Sequence, residues 1–581
     1  MELNSQQKAA VETEAKRVLV EAAPGSGKTR VIIERIHYLI DSGVSPFEIL
    51  CLTFTRNAAR EMKERLENRI GSAAYKITIG TFHSIALDHL QRYSEFIGFK
   101  NNSTVYSDFE ENYLLKETAR DIGFHDGKSF KTITKKEINF CFYNFYNYGK
   151  QPDKYEAVYS LFQAFNYRCK ENNSYTYGSI LTEFRRLIPH ISGFLSWKHI
   201  ICDESQDNNS IQFSILELLS EVLESEMFLV SDMDQTIYEF RGSFPDYLLH
   251  HEESFNIFPL ELNYRSDSNI VNSANSLIQN NHNRINKEIL PDKISYHPLT
   301  FIKNMDSAEI VKLIKSLEDI FPDQSKAILA RNHFLLKKIS ELLAEKEIEH
   351  SYIGKKSELV HSEDFRKFHA FLKLIINPYD NFSFLLIRDL LGLSRAEYND
   401  IRLQAANAGL SHFKAWKIRR ERTVFKDLIF NEQEHYLPNI LSILFESLTN
   451  KMKCFKTVQF IQEWIDNNPK GTIHDYLKWL SLYDIHDELQ PEEDKLQLMT
   501  FHAAKGLEWD LVLIAGMNEG ILPSKQALIN NEIESERRLC YVAITRAKEN
   551  LILTIRPEKS EYHGKELIQK QSRFIKEMQD E

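Results

Sequence analysis

An apolar run, Val18-Leu19-Val20, is followed by Ala22-Ala23-Pro24-Gly25-Ser26-Gly27-Lys28-Thr29 and then by Arg30-Val31-Ile32-Ile33-Glu34-Arg35-Ile36. Strand, glycine loop and helix in that order is the context a phosphate-binding loop requires. Gly25 and Gly27 let backbone N–H groups turn inward around an anion. The helix that starts near Lys28 presents the positive end of its dipole to the same anion. In such a loop Lys28 reaches the β- and γ-phosphates of a nucleotide, and the Thr29 hydroxyl holds Mg²⁺. The strict pattern begins with Gly, where this chain has Ala22.

A loop of this kind sits in an α/β domain, and the neighbouring segments continue the alternation. Ile49–Thr55 reads as a strand followed by a helix from Asn57 to Ile70, and Ile77–Ser84 repeats the strand-to-loop pattern. Alternating strands and helices predict a parallel sheet. From about 88 to 177 the alternation gives way to helical periodicity, rich in aromatics around Phe140–Tyr146. That cluster is read as core rather than as a base-stacking surface, since aromatics dominate core burial. The sheet resumes at His199-Ile200-Ile201-Cys202-Asp203-Glu204 and Met227-Phe228-Leu229-Val230. A second α/β block begins near Asn269, is interrupted by helices over about 354–493, and ends in strands at Leu511–Ala515 and Leu551–Thr554. The basic run His412–Arg422 is read as a solvated helix face.

With 581 residues, 43% hydrophobic and 27% charged, the chain is globular and long enough for roughly three to four domains. It has no run of 18 apolar residues, so no membrane span is expected. Met1-Glu2-Leu3-Asn4 carries no export pattern, and the six cysteines include no C-x-x-C pair. Neither a zinc site nor an iron–sulfur cluster is indicated, and the reducing cytoplasm is the expected location. A net charge of −11 argues against a passive nucleic-acid coat but allows a local groove that grips a backbone.

Asp203-Glu204 at the end of an apolar run supplies what a metal-bound nucleotide needs at a strand's carboxyl end. Asp203 is the candidate Mg²⁺ ligand, and Glu204 the group that orients or deprotonates the attacking water. Gln7 could read an adenine edge, since its amide both donates and accepts.

Together the segments Leu3–Val11, Ala22–Thr29, Thr53–Ala59, Thr81–Ser84, Asp203–Asp207, Asp232–Gly242, Asn263–Ser266, Thr500–Glu508 and Tyr541–Ala547 resemble the ordered motif set of the UvrD/Rep-like superfamily 1 (1A) DNA helicases. Ala is usual in the first loop position of that family. The resemblance implies two RecA-like P-loop NTPase domains with parallel sheets, each carrying a mainly helical insertion. The expected division is 1–87 and 178–266 for the first domain around an insertion at 88–177. The second domain is 267–353 and 494–581 around a shortened insertion at 354–493. It implies ATP and Mg²⁺ as cofactors, with Gln7 and Tyr264 at the adenine. Gln235, Arg265 and Arg546 fall at the γ-phosphate, and Gly506 and Glu508 near the sugar and phosphates. Single-stranded DNA, and junctions of single and double strands, would meet Phe54, Thr55, His83, Tyr238, Phe240, Arg241, Arg331 and His502. Ser231 stands where the family usually has Gly, and Phe240 where it usually has Trp.

The resemblance implies an ATP-dependent helicase moving 3′ to 5′. The shortened second insertion motivates a neighbouring reading, a translocase that strips proteins from single strands and unwinds poorly. A third, of a different class, is an ATP-switched regulatory subunit that licenses a separate nuclease in DNA-end processing or anti-phage defence, or serves another repair partner.

Overall fold

The loop at 22–29 lies on the edge of a six-stranded sheet in a computed structural model that describes residues 2–125, 134–148, 156–239, 242–243, 246–285, 287–295, 299–353, 358–419, 436–483, 495–557, 559–562, 565–568 and 570–579. The chain divides into two compact units. One contains Met1–Thr81, Leu195–Gly354 and Ile485–Glu581, and the other Phe82–Phe194 and Lys355–Asp484.

The first unit holds two six-stranded sheets, each wholly parallel, beside two two-stranded pairs, Leu262–Asp267 with Leu290–Lys293 and Lys559–Tyr562 with Lys565–Ile568, the latter antiparallel. The first sheet comprises β1 (Arg17–Ala22), β2 (Ile49–Thr53), β3 (Thr78–Thr81), β4 (His199–Cys202), β5 (Glu226–Ser231) and β6 (Asn256–Leu260), in the order β3-β2-β4-β5-β1-β6. Its central strands are continuous apolar runs because helices cover both faces, so alternation has no value there. All of β2 is buried, and β1 is buried from Val18 to Ala22. The helix Lys28–Asp41 buries Val31, Ile32, Ile36 and Leu39 at helical spacing. The second sheet comprises β7 (Thr300–Ile302), β8 (Lys326–Ala330), β9 (His350–Tyr352), β10 (Leu496–Thr500), β11 (Trp509–Ala515) and β12 (Ala547–Thr554), in the order β7-β12-β11-β8-β10-β9. Parallel pairing sends every carboxyl end of a sheet to one edge, where open α/β sheets hold their ligands.

Among its described residues, the second unit is helical apart from a short parallel pair, Thr104–Tyr106 with Ser174–Thr176. The expected first insertion, 88–177, lies within its first segment, Phe82–Phe194, which also holds the helix Tyr177–Ile191. Its strongly one-sided apolar face buries Ile180, Leu181, Phe184, Leu187 and Ile188. The aromatic cluster is core: Phe142, Phe145 and Tyr146 are buried against Phe162 at ring separations of 4.9–5.0 Å, while Phe140 alone of that group points outward. The stretch His412–Ile418 buries Phe413, Ala415 and Trp416, so it is an amphipathic core helix rather than a wholly solvated one. Arg420 and Arg422 lie outside the described residues.

The two segments of this unit are joined by buried polar groups. The Lys373 ammonium donates to the Glu110 carboxylate and, at 3.0 Å, to Val105 O. Asn377 Nδ2 reaches Thr104 Oγ1 and the carbonyls of Asn172 and Asn173 at 2.9–3.0 Å. Tyr106 donates its hydroxyl to Asp380 at 3.1 Å. Removing one member of a buried charge pair strands the other. Lys373→Ala is therefore expected to lower stability by about 3 kcal/mol, read as a shift of the denaturant midpoint. An unshifted midpoint would show that the pair contributes nothing net. Among the described residues, no helix is long and apolar enough to cross a membrane.

Candidate functional site

The loop after β1 is shaped by what surrounds it. Gly25 has φ +66°, and a Cβ there would stand 2.6 Å from Arg265 Cβ, so only glycine fits. Gly27, at φ 85°, starts the helix Lys28–Asp41 with no side-chain cap. An uncapped helix start leaves its first N–H groups for an anion. Ser26 Oγ donates to Ala23 O at 2.7 Å, and Asn263 Nδ2 donates to Pro24 O at 2.7 Å.

Gln7 is buried beside the loop. Its Nε2 donates to Ser26 O at 2.9 Å, and its Oε1 accepts from Asn4 N at 3.1 Å as part of a helix capping box. The amide is thus engaged with the protein rather than presented outward. Tyr264 N donates to Gly25 O at 3.0 Å, and its hydroxyl accepts from Asn4 Nδ2 at 2.8 Å. Gln7 and Tyr264 therefore converge on one side of the loop, linked through Asn4.

The carboxyl ends of β4 and β5 bring the acidic groups. Glu204 N donates to Asp203 Oδ1 at 2.9 Å. Burial, then the Glu204 charge beside it, push the Asp203 carboxyl up to about 7. Glu204 has the left-handed φ of 50°, unusual for a residue with a side chain. Burial alone would raise its carboxyl. The Lys505 and Lys28 ammonium groups and the Gln206 amide outweigh that and hold it below the usual carboxylate range. It is therefore an anion at neutral pH. Asp232, wholly buried, accepts from Gln235 Nε2 at 2.6 Å and pairs with Lys28 Nζ at 3.5 Å.

The second α/β block reaches into this edge from two directions. Arg546, immediately before β12, is 2% exposed. Its Nε and Nη1 donate to Val542 O and Leu507 O at 2.9 and 3.3 Å, while Nη2 donates to Gln235 Oε1 at 3.1 Å. Burial, then the Arg265 guanidinium, pull its pKa down to about 9, which leaves it charged at neutral pH. Arg265 and Glu508 lie together, Nε to Oε2 at 2.6 Å, and Arg265 Nη1 also donates to Thr545 O. Gly506, in the positive-φ region, opens the turn ahead of Glu508.

Two lysines at this edge carry no mark in the sequence as candidates. Lys505 donates to Asp207 and, at 2.9 Å, to Gln235 O, and lies 3.5 Å from Glu204. Its only sequence signal is its place within the segment Thr500–Glu508. Lys287, from an unremarkable polar stretch, lies against Glu21 and Asp232, and no pattern in the sequence points to it.

The expected DNA-facing residues fare unevenly. Phe54 is half-buried and stacks on Tyr238 at 5.0 Å, and Thr55 caps the following helix through Ala58 N. Tyr238 itself is 5% exposed, wedged among Phe54, His502 and the Lys505 ammonium. Its ring packs beneath Phe54. Arg331 is held by Glu536 through three contacts of 2.8–3.2 Å. In the helical unit His83 stacks on Tyr177 at 4.1 Å, and burial pulls its pKa down to about 4, so its ring is neutral. Phe240 and Arg241 lie outside the described residues.

Comparison with known proteins agrees with this geometry. The UvrD/REP helicase N-terminal domain matches residues 3–256, and the UvrD-like helicase C-terminal domain matches 258–413 and 444–558. The chain is 29% identical over 652 residues to the ATP-dependent DNA helicase Rep of Buchnera aphidicola, covering 100% of this chain and 99% of that protein. It is 28% identical over 641 residues to the ATP-dependent DNA helicase PcrA of Staphylococcus epidermidis, covering 100% of this chain and 86% of that one. These likenesses give no support to a nuclease-licensing subunit, and that reading is set aside. With both domain models matched in order and both parallel sheets in place, the chain belongs to the UvrD/Rep helicase family.

Proposed function

We propose that this protein is an ATP-dependent DNA helicase that moves 3′ to 5′ along single-stranded DNA and acts at junctions of single and double strands. The observation that carries the reading is the hydrogen bond from Arg546 Nη2 to Gln235 Oε1. It joins the second α/β block to the loop that follows β5, at the edge that holds Lys28. A γ-phosphate seated there draws Arg546 and Lys28 onto one group, and its loss releases them. Glu204, ionised at neutral pH, accepts the proton of the attacking water. Gln7 and Tyr264 meet the adenine once Asn4 yields its hold on them. Arg265, Gly506 and Glu508 line the phosphates and sugar.

Mg²⁺ fits the donor set. The Thr29 hydroxyl and the Asp203 carboxylate are hard oxygen donors. A carboxyl whose pKa burial has raised to about 7 is short of a compensating cation. Among the described residues no group of three or more His, Cys, Asp or Glu forms a metal cage, which suits an ion held largely by nucleotide phosphates. When bound, the ion offsets charge on the phosphates. Phe54, Thr55, His83, Arg331 and His502 are the residues assigned to DNA, with Tyr238 as the support beneath Phe54. The six cysteines are unbridged and buried, as suits a reducing cytoplasm.

The test is ATP hydrolysis with and without single-stranded DNA, followed by unwinding of duplexes with 3′ or 5′ tails. Hydrolysis is expected to rise with DNA, and the rise to weaken with salt as phosphate contacts are screened. Unwinding is expected on the 3′ tail alone. Phe54→Ala is expected to weaken DNA binding by about 1–3 kcal/mol, the value of one stacked base, with the DNA-free rate unchanged. Hydrolysis indifferent to DNA overturns the reading. Translocation without unwinding narrows it to a strand-clearing motor.

A further inference from the structure

Behind the phosphate loop lies a buried set of charges that the reaction as described leaves unused. Glu21 stands on β1, one residue before the loop. Asp232 and Asp234 follow β5. All three carboxylates are at most 1% exposed. Against them lie two cations from the stretch that follows the helix Ser268–Ile278. Lys287 Nζ contacts Glu21 Oε1, Asp232 Oδ1 at 2.6 Å and Asp234 Oδ2 at 3.8 Å. Arg284 holds Asp234 in a fork at 2.8 and 3.0 Å. Asp232 is the shared member. Its Oδ1 takes Lys287, while its Oδ2 takes Lys28 at 3.5 Å and Gln235 at 2.6 Å.

We propose that Lys287 is a positioning residue of the ATP site, which keeps the buried Asp232 carboxylate neutralised so that Lys28 can leave it for the nucleotide phosphates. The inference rests on the reading of the loop as an ATP site. A fully buried carboxylate without a cation is strongly disfavoured. Were Lys28 the only cation on Asp232, each ATP bound would strand that carboxylate, and the ion pair would compete with the phosphates. Lys287 removes the competition because it stays when Lys28 moves. Its side chain is 1% exposed, and its remaining contacts among the described residues are Glu21, Asp234 and Ala22 O.

The test is steady-state ATP hydrolysis by the full chain with saturating single-stranded DNA. Lys287→Met is expected to raise KM for ATP by at least about tenfold, with kcat within about threefold, because saturating ATP draws Lys28 across regardless. Lys287→Arg keeps the charge and is expected to stay within about threefold of wild type in KM. The decisive comparison is made in the Asp232→Asn background, where no carboxylate competes for Lys28. There Lys287→Met is expected to change KM by less than about twofold, since coupling through one partner vanishes when that partner is removed. An equal rise in both backgrounds, or an unchanged KM in the single variant, overturns the proposal. If Lys287→Met does not fold, the comparison is repeated with Glu21→Gln added, which removes a second stranded carboxylate. Lys28→Ala in the same assay separates the two levels. Hydrolysis that survives it overturns the ATP-site reading and the Lys287 proposal together. Hydrolysis lost there, with KM indifferent to Lys287, overturns the Lys287 role alone.

Discussion

Arg546→Ala is expected to slow ATP hydrolysis by about 10³-fold while leaving ATP binding largely intact. The side chain is aimed by its own block, with Nε on Val542 O and Nη1 on Leu507 O. Only Nη2 extends to the loop after β5, where it meets Gln235 at 3.1 Å. On the proposed reading the loop at 22–29, which belongs to the other sheet, carries binding, so a fluorescent nucleotide should bind the variant within a few-fold of wild type. The missing charge matters when the terminal phosphate carries its transition-state charge, and a buried cation acts there without reorganisation. Arg546→Lys should not rescue the rate, because an ammonium cannot keep two carbonyl contacts and present a third donor in the fork geometry. A variant that hydrolyses at the wild-type rate would make Arg546 a packing residue. Arg265, paired with Glu508 beside Thr545, would then be the first alternative to examine.

Glu204→Gln is expected to cut hydrolysis by about 10²- to 10⁴-fold, the usual worth of a positioned general base. The amide is isosteric but cannot accept a proton, so ATP should accumulate on the protein and the complex should dwell on DNA. Lys505 sharpens this expectation. Its ammonium, 3.5 Å from Glu204 and bonded to Asp207 and Gln235 O, helps keep the carboxyl ionised. In the variant that support has nothing to act on, so lowering the pH should no longer suppress the residual rate through this group. A nucleotide-binding assay alongside single-turnover hydrolysis separates the outcomes. Loss of binding together with loss of hydrolysis would show that Glu204 builds the site rather than serving as its base.

Much of the scaffold is legible in the chain because its cause is local. The continuous apolar runs of β1, β2, β4, β5 and β11 are what a sheet covered on both faces demands, and each reappears within two or three residues of its expected bounds. Gly25 and Gly27 declare a tight turn into the helix that starts at Lys28, through positive φ angles that few residue types meet. Aromatic placement is less legible. Tyr238 and Phe54 are adjacent in space and alike in composition, yet Tyr238 is buried against His502 and Lys505 while Phe54 stays half-open. Nothing in the local pattern separates them, since burial is decided by what packs across from each ring.

The sequence by itself determined the class of fold, the glycine-rich turn from β1 into its helix and the acidic pair at the end of β4, because each follows from short-range geometry: strand periodicity, glycine φ angles and a helix start. Tertiary structure alone decided which charges share a carboxylate. Lys287 meets Glu21 from 266 residues away along the chain and Lys505 meets Asp207 from 298, and a buried ion pair leaves no periodic trace in the chain. Their roles arise from long-range closure of two parallel sheets around one edge, where low solvent access makes each charge answer to its partners. The same holds for the helical unit, whose two distant segments meet at Lys373, Asn377 and Asp380 through buried polar contacts invisible to spacing.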